Sequence, residues 1–170
     1  MVAIGDRKPQ VEGSVFLAPG SFIIGDVTIK EGSGVWYGAV IRGDDDYIEI
    51  GSYSTILENC IVEAPFGNSV RIGNNAIISH GAIVHGATVG DKALVGIGAI
   101  VLDKAEIGKG AIVGAGAIVP PGAVVPPNTI ALGVPAKVVR EIREEEKEMV
   151  ALERERVTSK ADKYKKIYLE

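Results

Sequence analysis

The chain of 170 residues has one cysteine, two histidines and only 5% aromatic residues. Cys60 cannot form an internal disulfide, and no second thiol is present with which to build a cysteine-rich metal site. Any metal site must therefore use histidine and carboxylate. Positive charge is in short supply as well: 18 Lys and Arg stand against 22 Asp and Glu, and the formal charge is −4. That excludes the basic stripe of a nucleic-acid binder, so no nucleic-acid partner is expected. No run of about 18 apolar residues is available to span a membrane. The start MVAIGDRKPQ also lacks the apolar segment of a signal peptide, so a cytoplasmic protein without a membrane partner is expected. Between Val11 and Val125 no segment has helical periodicity long enough to serve as a crossover between parallel strands. Small and aliphatic residues are what the chain has in quantity: 46% is hydrophobic and 22 residues are glycine, enough apolar surface for one core.

Those residues repeat. Isoleucine, leucine and valine recur every six positions at Val11, Leu17, Ile23, Ile29, Val35 and Ile41, then at Ile50, Ile56 and Val62, and again at Ile72, Ile78 and Val84. A last run covers Val89, Val95, Val101, Ile107, Val113, Val119 and Val125. Four positions on comes a small residue in most hexads, such as Ala76, Ala82, Ala93, Ala99 and Ala111. A period of six is a multiple of the strand period of two and fits no helical face. Each hexad therefore reads as one side of a prism, with the aliphatic residue pointing inward and three hexads closing a coil. Nineteen such positions give about six coils. The fold expected is mainly β, a parallel β-helix of hexapeptide repeats over residues 1–134. From Val134 on the composition turns to Glu, Lys and Arg without glycine, so 135–170 are expected to form an α-helical tail. Its irregular stripe of Val138, Ile142, Met149, Val150 and Leu152 is expected to pack on the prism, and it does not sustain the heptads of a coiled coil.

The repeat breaks in three places. Three residues are inserted between Ile41 and Ile50, four between Val62 and Ile72, and one is dropped between Val84 and Val89. Arg42, Glu63 and His85 each directly follow an inward aliphatic residue next to a break. Arg42 and Glu63 are 21 apart, one coil of 18 plus the three inserted; Glu63 and His85 are 22 apart, one coil plus four. The three side chains should therefore stack on one outer side in successive coils, with His80 on the neighbouring side. Glu63 and His85 at strand spacing suit two ligands of a divalent ion, and His80 of a second chain packed alongside could complete the set. A three-sided column with such an edge favours a closed trimer with sites between subunits. The same register also fits a plain Arg42–Glu63 ion pair and histidines that hydrogen-bond across a subunit interface.

The stretches VWYGAVIRGDDDYIEIG, SHGAIVHGATVGDKALVGIGAIV and ALGVPAKVVREI resemble the γ-class carbonic anhydrases and their relatives over nearly the whole chain. The stretch with two histidines is specific to that family, whereas the hexads and the GVPAK ending also occur in hexapeptide acyltransferases. The resemblance implies a left-handed coil and a homotrimer. It implies zinc or ferrous iron at each subunit interface, held by three histidines, and reversible hydration of carbon dioxide to bicarbonate. His80 and His85 match two of those ligands. Glu63 stands where the third belongs, and Leu57 replaces the glutamine that contacts the metal's water. Glu58 matches a nearby aspartate in character, and Arg42 with Asp44 matches an Arg-x-Asp element associated with bicarbonate and the interface. A carboxylate ligand adds negative charge and makes a coordinated water less acidic than imidazole would, so the activity expected is weak.

Other features have plainer readings. Cys60 occupies an inward small-residue position and reads as core. Asp44, Asp45 and Asp46 read as a solvated corner turn, with Asp44 pairing to an arginine. Trp36 and Tyr37 cover apolar surface at an edge or interface, and VGIGA and VGAGA are repeat corners, since no helix follows to take a phosphate. Two other functions compete with the carbonic anhydrase reading: a non-catalytic trimeric scaffold or binding protein, and a hexapeptide acyltransferase or thioesterase acting on coenzyme A substrates.

Overall fold

The computed structural model describes residues 1–169. All nineteen aliphatic hexad positions fall into three parallel stacks. One face pairs Ile23, Ile41, Val62, Val84, Val101 and Val119 in successive coils. A second pairs Val11, Ile29, Ile50, Ile72, Val89, Ile107 and Val125. The third runs through Leu17, Val35, Ile56, Ile78, Val95 and Val113 and is extended by Ala131, an alanine where the repeat would next place an aliphatic residue. That further position brings the left-handed solenoid to about seven turns, one more than the aliphatic count implies.

Core formation follows from the pleat. Successive side chains in a strand point to opposite faces, so the aliphatic residue of each hexad turns inward, and Ile41, Ile56, Val62, Ile78, Val84, Val95 and Val113 are all 0% exposed. Each such side chain contributes about 1.5–3 kcal/mol of burial. The alanines four positions on fill the corners and are equally buried, Ala76, Ala82, Ala93, Ala99 and Ala111 among them. Corners close tightly where glycine follows the aliphatic residue. A Cβ on Gly90 would lie 2.7 Å from the backbone nitrogen of Lys109 in the next coil, and one on Gly108 would lie 2.4 Å from that of Pro127.

The insertion after Ile41 is not the turn expected from its acidic run. Val40–Ile50 is one continuous strand of 11 residues that rounds the corner, pairing with Phe22–Ile29 across a register shift between Gly25 and Val27. The extra residues lengthen the corner as a bulge between Gly43 and Ile48, and the ladder resumes on either side of it because a second long strand lies beneath. The insertion after Val62 does form a loop, closed by the Asn68 amide donating to the Pro65 carbonyl at 2.9 Å.

At the other end the expected tail divides. Lys137–Glu141 is a strand, antiparallel to Thr129–Leu132, and it covers the open edge of the third face. The helix, α1, spans Glu144–Leu169. Of the expected apolar stripe only Val150 is buried; Val138, Met149 and Leu152 are 46 to 58% exposed. Val138 lies in the strand and so cannot share a helical face with the rest. The stripe that packs is Val150, Val157 and Ala161, joined by Tyr164, at spacings of seven, four and three. Tyr164 closes an aromatic cluster on the solenoid, 5.5 Å from Trp36 and 6.2 Å from Phe16 between ring centroids. Trp36 is thereby buried by the chain's own helix. Arg154 Nε donates to the Asn75 carbonyl at 2.7 Å and pins the middle of α1 to a solenoid corner. No helix among the described residues is long and apolar enough to cross a membrane.

The start of α1 is held by one residue. Glu146 receives both Arg140 guanidinium nitrogens, at 2.8 and 2.6 Å, and the Arg143 backbone N–H at 2.8 Å. That last bond is half of a capping box, and the first two tie the helix to the edge strand. The Arg140 bonds, then the Arg143 amide, hold the Glu146 carboxyl down at about 2. Because the folded value is depressed, the tether is present above the ordinary glutamate range and is lost as pH falls toward about 2. Hydrogen exchange should therefore show fraying over residues 143–150 in Glu146→Gln at neutral pH, and in the parent chain only on acidification. Gly90→Ala is expected to cost about 1–3 kcal/mol in denaturant unfolding, since the added methyl group forces two coils apart. Gly13→Ala, which meets nothing within 4 Å, should be close to neutral.

Candidate functional site

The counted register is the observed one. Glu63 pairs with Arg42 in the coil on one side and with His85 in the coil on the other, so the three residues stand in one column. All three project outward, because each follows a buried aliphatic residue in a strand where alternate side chains face opposite ways. Arg42 Nη2 donates to Glu63 Oε1, and Arg42 Nη1 lies 3.3 Å from Asp44 Oδ2. Asp44 is steadied in turn by Arg7, which donates to its backbone carbonyl. Its other carboxylate oxygen is buried with no partner among the described residues.

His85 has a neighbour that the residue spacing did not single out. Its Nδ1 lies 3.1 Å from Asp103 Oδ2, and Asn68 donates to Asp103 Oδ1 at 3.3 Å. A carboxylate is only an acceptor, so this contact places the ring proton on Nδ1 and leaves the Nε2 lone pair free. The signal for Asp103 is the dropped residue: Val84 and Val101 pair although only 17 apart, so a side chain 18 residues on from His85 stands one place past it, at the corner.

His80 occupies the corner that leads into the strand Ile83–His85, and its carbonyl accepts from the Gly98 amide at 3.0 Å. The two histidines thus sit at opposite ends of one prism side, and the chain does not bring His80 to the Glu63–His85 pair. No group of three or more metal-ligating side chains occurs within the single chain among the described residues. His80 Nδ1 is 2.7 Å from Glu58 Oε2, yet off the line a ring N–H would take, and that buried oxygen has no hydrogen bond among the described residues. Leu57 is buried beside this pair and offers it no polar group. Helix α1 forms the far wall of the cleft through Glu153, Val157 and Lys160.

The fit of this donor set to a divalent metal can be judged from its free atoms. His85 has Nδ1 on a carboxylate and Nε2 available, the arrangement in which imidazole serves as a metal ligand with its tautomer fixed from behind, whereas His80 has the Glu58 carboxylate beside Nδ1 without a hydrogen bond to it. Glu63 spends one oxygen on Arg42 and keeps the other. Two imidazoles and a carboxylate are a ligand set that zinc accepts. The residues fit, provided a second copy supplies the missing side.

Comparison with known proteins places the chain among the hexapeptide-repeat proteins. The family Bacterial transferase hexapeptide (six repeats) matches residues 86–121. A protein of Methanocaldococcus jannaschii named probable carbonic anhydrase is 47% identical over 136 residues, 80% of this chain and 86% of that one. The carbonic anhydrase of Geobacillus kaustophilus is 44% identical over 152 residues, 89% of this chain and 84% of its own. With the mitochondrial gamma carbonic anhydrase 2 of Arabidopsis thaliana the similarity is confined to 62 residues, 36% of this chain and 22% of the plant protein. Among solved structures, a hexapeptide transferase family protein from Anaplasma phagocytophilum superposes with a TM-score of 0.92 at 34% identity, covering 96% of both chains. The chain belongs to the carbonic anhydrase-like family of γ class within the hexapeptide-repeat proteins.

Cys60 is not part of this site. It is fully buried, its Sγ donates to the Ser79 carbonyl at 2.9 Å, and burial pushes its thiol up to about 12. The folded protein at pH 8 should therefore resist a disulfide-exchange reagent and release one equivalent of thiol only on unfolding.

Proposed function

We propose that the protein is a metal-dependent carbonic anhydrase of low turnover that works as a closed trimer. In it Glu63 and His85 of one copy, with His80 of the next, hold zinc or ferrous iron at each interface. The observation that carries this reading is the side-by-side pairing of Glu63 with His85, each with a free ligating atom, one coil from Arg42. Family membership at 44 to 47% identity over most of the chain supports it.

The chain's own residues divide the work by chemistry. Asp103 holds the His85 ring from behind, so that imidazole is aimed before a metal arrives, and Glu58 stands beside His80 as a negative charge without orienting its ring. Arg42 is a fixed cation beside the site and can hold the bicarbonate anion as it forms. Leu57 excludes water from its side and gives no hydrogen bond to orient one. The metal would supply Lewis acidity toward a coordinated water. Glu63 reduces that acidity relative to imidazole, because its charge offsets that of the ion, and turnover is low for that reason.

A second reading, a non-catalytic trimeric scaffold, is favoured by one observation: Arg42 already neutralises Glu63 within the single chain. Metal analysis of protein purified with zinc, and separately with iron without oxygen, divides the two. One metal per chain in a trimer is expected, with slow carbon dioxide hydration. Asp103→Asn should weaken metal binding about 10–100-fold, and Glu63→His with Leu57→Gln should raise hydration. A trimer that takes up neither metal would leave the scaffold.

A further inference from the structure

A cavity of about 360 Å³ opens between α1 and a solenoid corner, on a different corner of the prism from His85. Its walls have two characters. Lys92 and Lys109 come from successive coils at the corner between the second and third faces, and Lys147 and Arg154 face them from α1. Four cations thus surround one opening in a chain whose net charge is −4. No carboxylate among the described residues lines it. Lys147 lies 2.5 Å from Glu144, but Lys92, Lys109 and Arg154 take part in no ion pair among the described residues. The remaining wall is apolar, made by Ile112 on the outside of the third face, by Ile142, and by Val150 of the helix.

Like charges gathered without partners are a standing electrostatic cost, and the fold does not need them there. The corner geometry shows this for Lys92. It sits at φ +59°, a left-handed backbone position that Asn75 and Asn128 occupy at the same corner of other coils. Tyr53 stands at this corner as well, and asparagine tolerates the conformation better than lysine does, so the backbone there does not call for a cation. Arg154 is held in place by the Asn75 carbonyl through Nε, which leaves its terminal nitrogens free to donate. The Asn128 carbonyl accepts from the Ile142 amide at 2.9 Å and fixes the wall opposite. The cavity is therefore walled by anchored elements, and its size suits a small organic ligand.

We propose that this cavity binds a phosphorylated small molecule whose charged end meets Lys92, Lys109 and Arg154 and whose flat apolar part lies on Ile112, Ile142 and Val150. The apolar wall is what separates such a compound from a simple inorganic anion. A bare polyanion gains only from the cations, whereas an organic phosphate also buries apolar area and orders its phosphates against the guanidinium. The site needs neither a metal nor a second copy of the chain, and it stands or falls apart from the carbonic anhydrase reading.

Calorimetric titration of the full chain with adenosine diphosphate and, separately, with inorganic pyrophosphate tests this. Adenosine diphosphate should bind saturably at one per chain, at least fivefold more tightly than pyrophosphate despite the latter's higher charge density. Lys92→Asn with Lys109→Gln should weaken it at least tenfold while thermal unfolding of the ligand-free protein comes at the same temperature or higher, because both side chains are exposed and asparagine suits the corner at residue 92. Absence of saturation at millimolar adenosine diphosphate would overturn the proposal, as would equal or tighter binding of pyrophosphate, or undiminished affinity in the double variant.

Discussion

Everything in this structure depends on coil-to-coil hydrogen bonding at the strand separation of about 4.8 Å. A strand of two residues has almost no stability alone, and the cooperativity comes from stacking each one between two others. That spacing dictates which residues can occupy a corner: glycine follows the aliphatic residue where the next coil's backbone comes within 2.7 Å of a would-be Cβ, as at Gly90 and Gly108. The same spacing makes the column of Arg42, Glu63 and His85 possible, since side chains in register on adjacent coils stand close enough to share one ion or one hydrogen-bonding chain.

The candidate site forms where the repeat departs from its period. Each insertion or deletion shifts the register of the downstream coils, and together they bring an arginine, a glutamate and a histidine into line and place Asp103 behind the imidazole. Helix α1 covers part of the third face, and its contacts create a second opening with a separate chemistry, cationic on the corner side and apolar on the sheet side.

Much of the fold was legible because its signal is periodic. All nineteen aliphatic positions read from the sequence lie in register, including those on either side of the irregular steps. Legibility failed where the pattern is not periodic. The strand Lys137–Glu141 is too short and too charged to stand out from a helical tail, and it exists because an exposed sheet edge takes any extended partner. The packed stripe of α1 was misread beyond Val150 because the charged tail offers several apolar spacings, and only the aromatic surface of Phe16 and Trp36 selects Val157, Ala161 and Tyr164.

Composition and spacing alone determined the prism, its direction of stacking and the outward column of Arg42, Glu63 and His85, since these come from counting residues against a fixed strand period. Tertiary structure decided which partners those side chains take: Arg42 on Glu63, Asp103 on His85, Glu58 beside His80, and four cations around one cavity. The reason is physical. A repeat fixes backbone position to within one residue, whereas a hydrogen bond or an ion pair depends on where side chains from distant coils and from the returning helix meet.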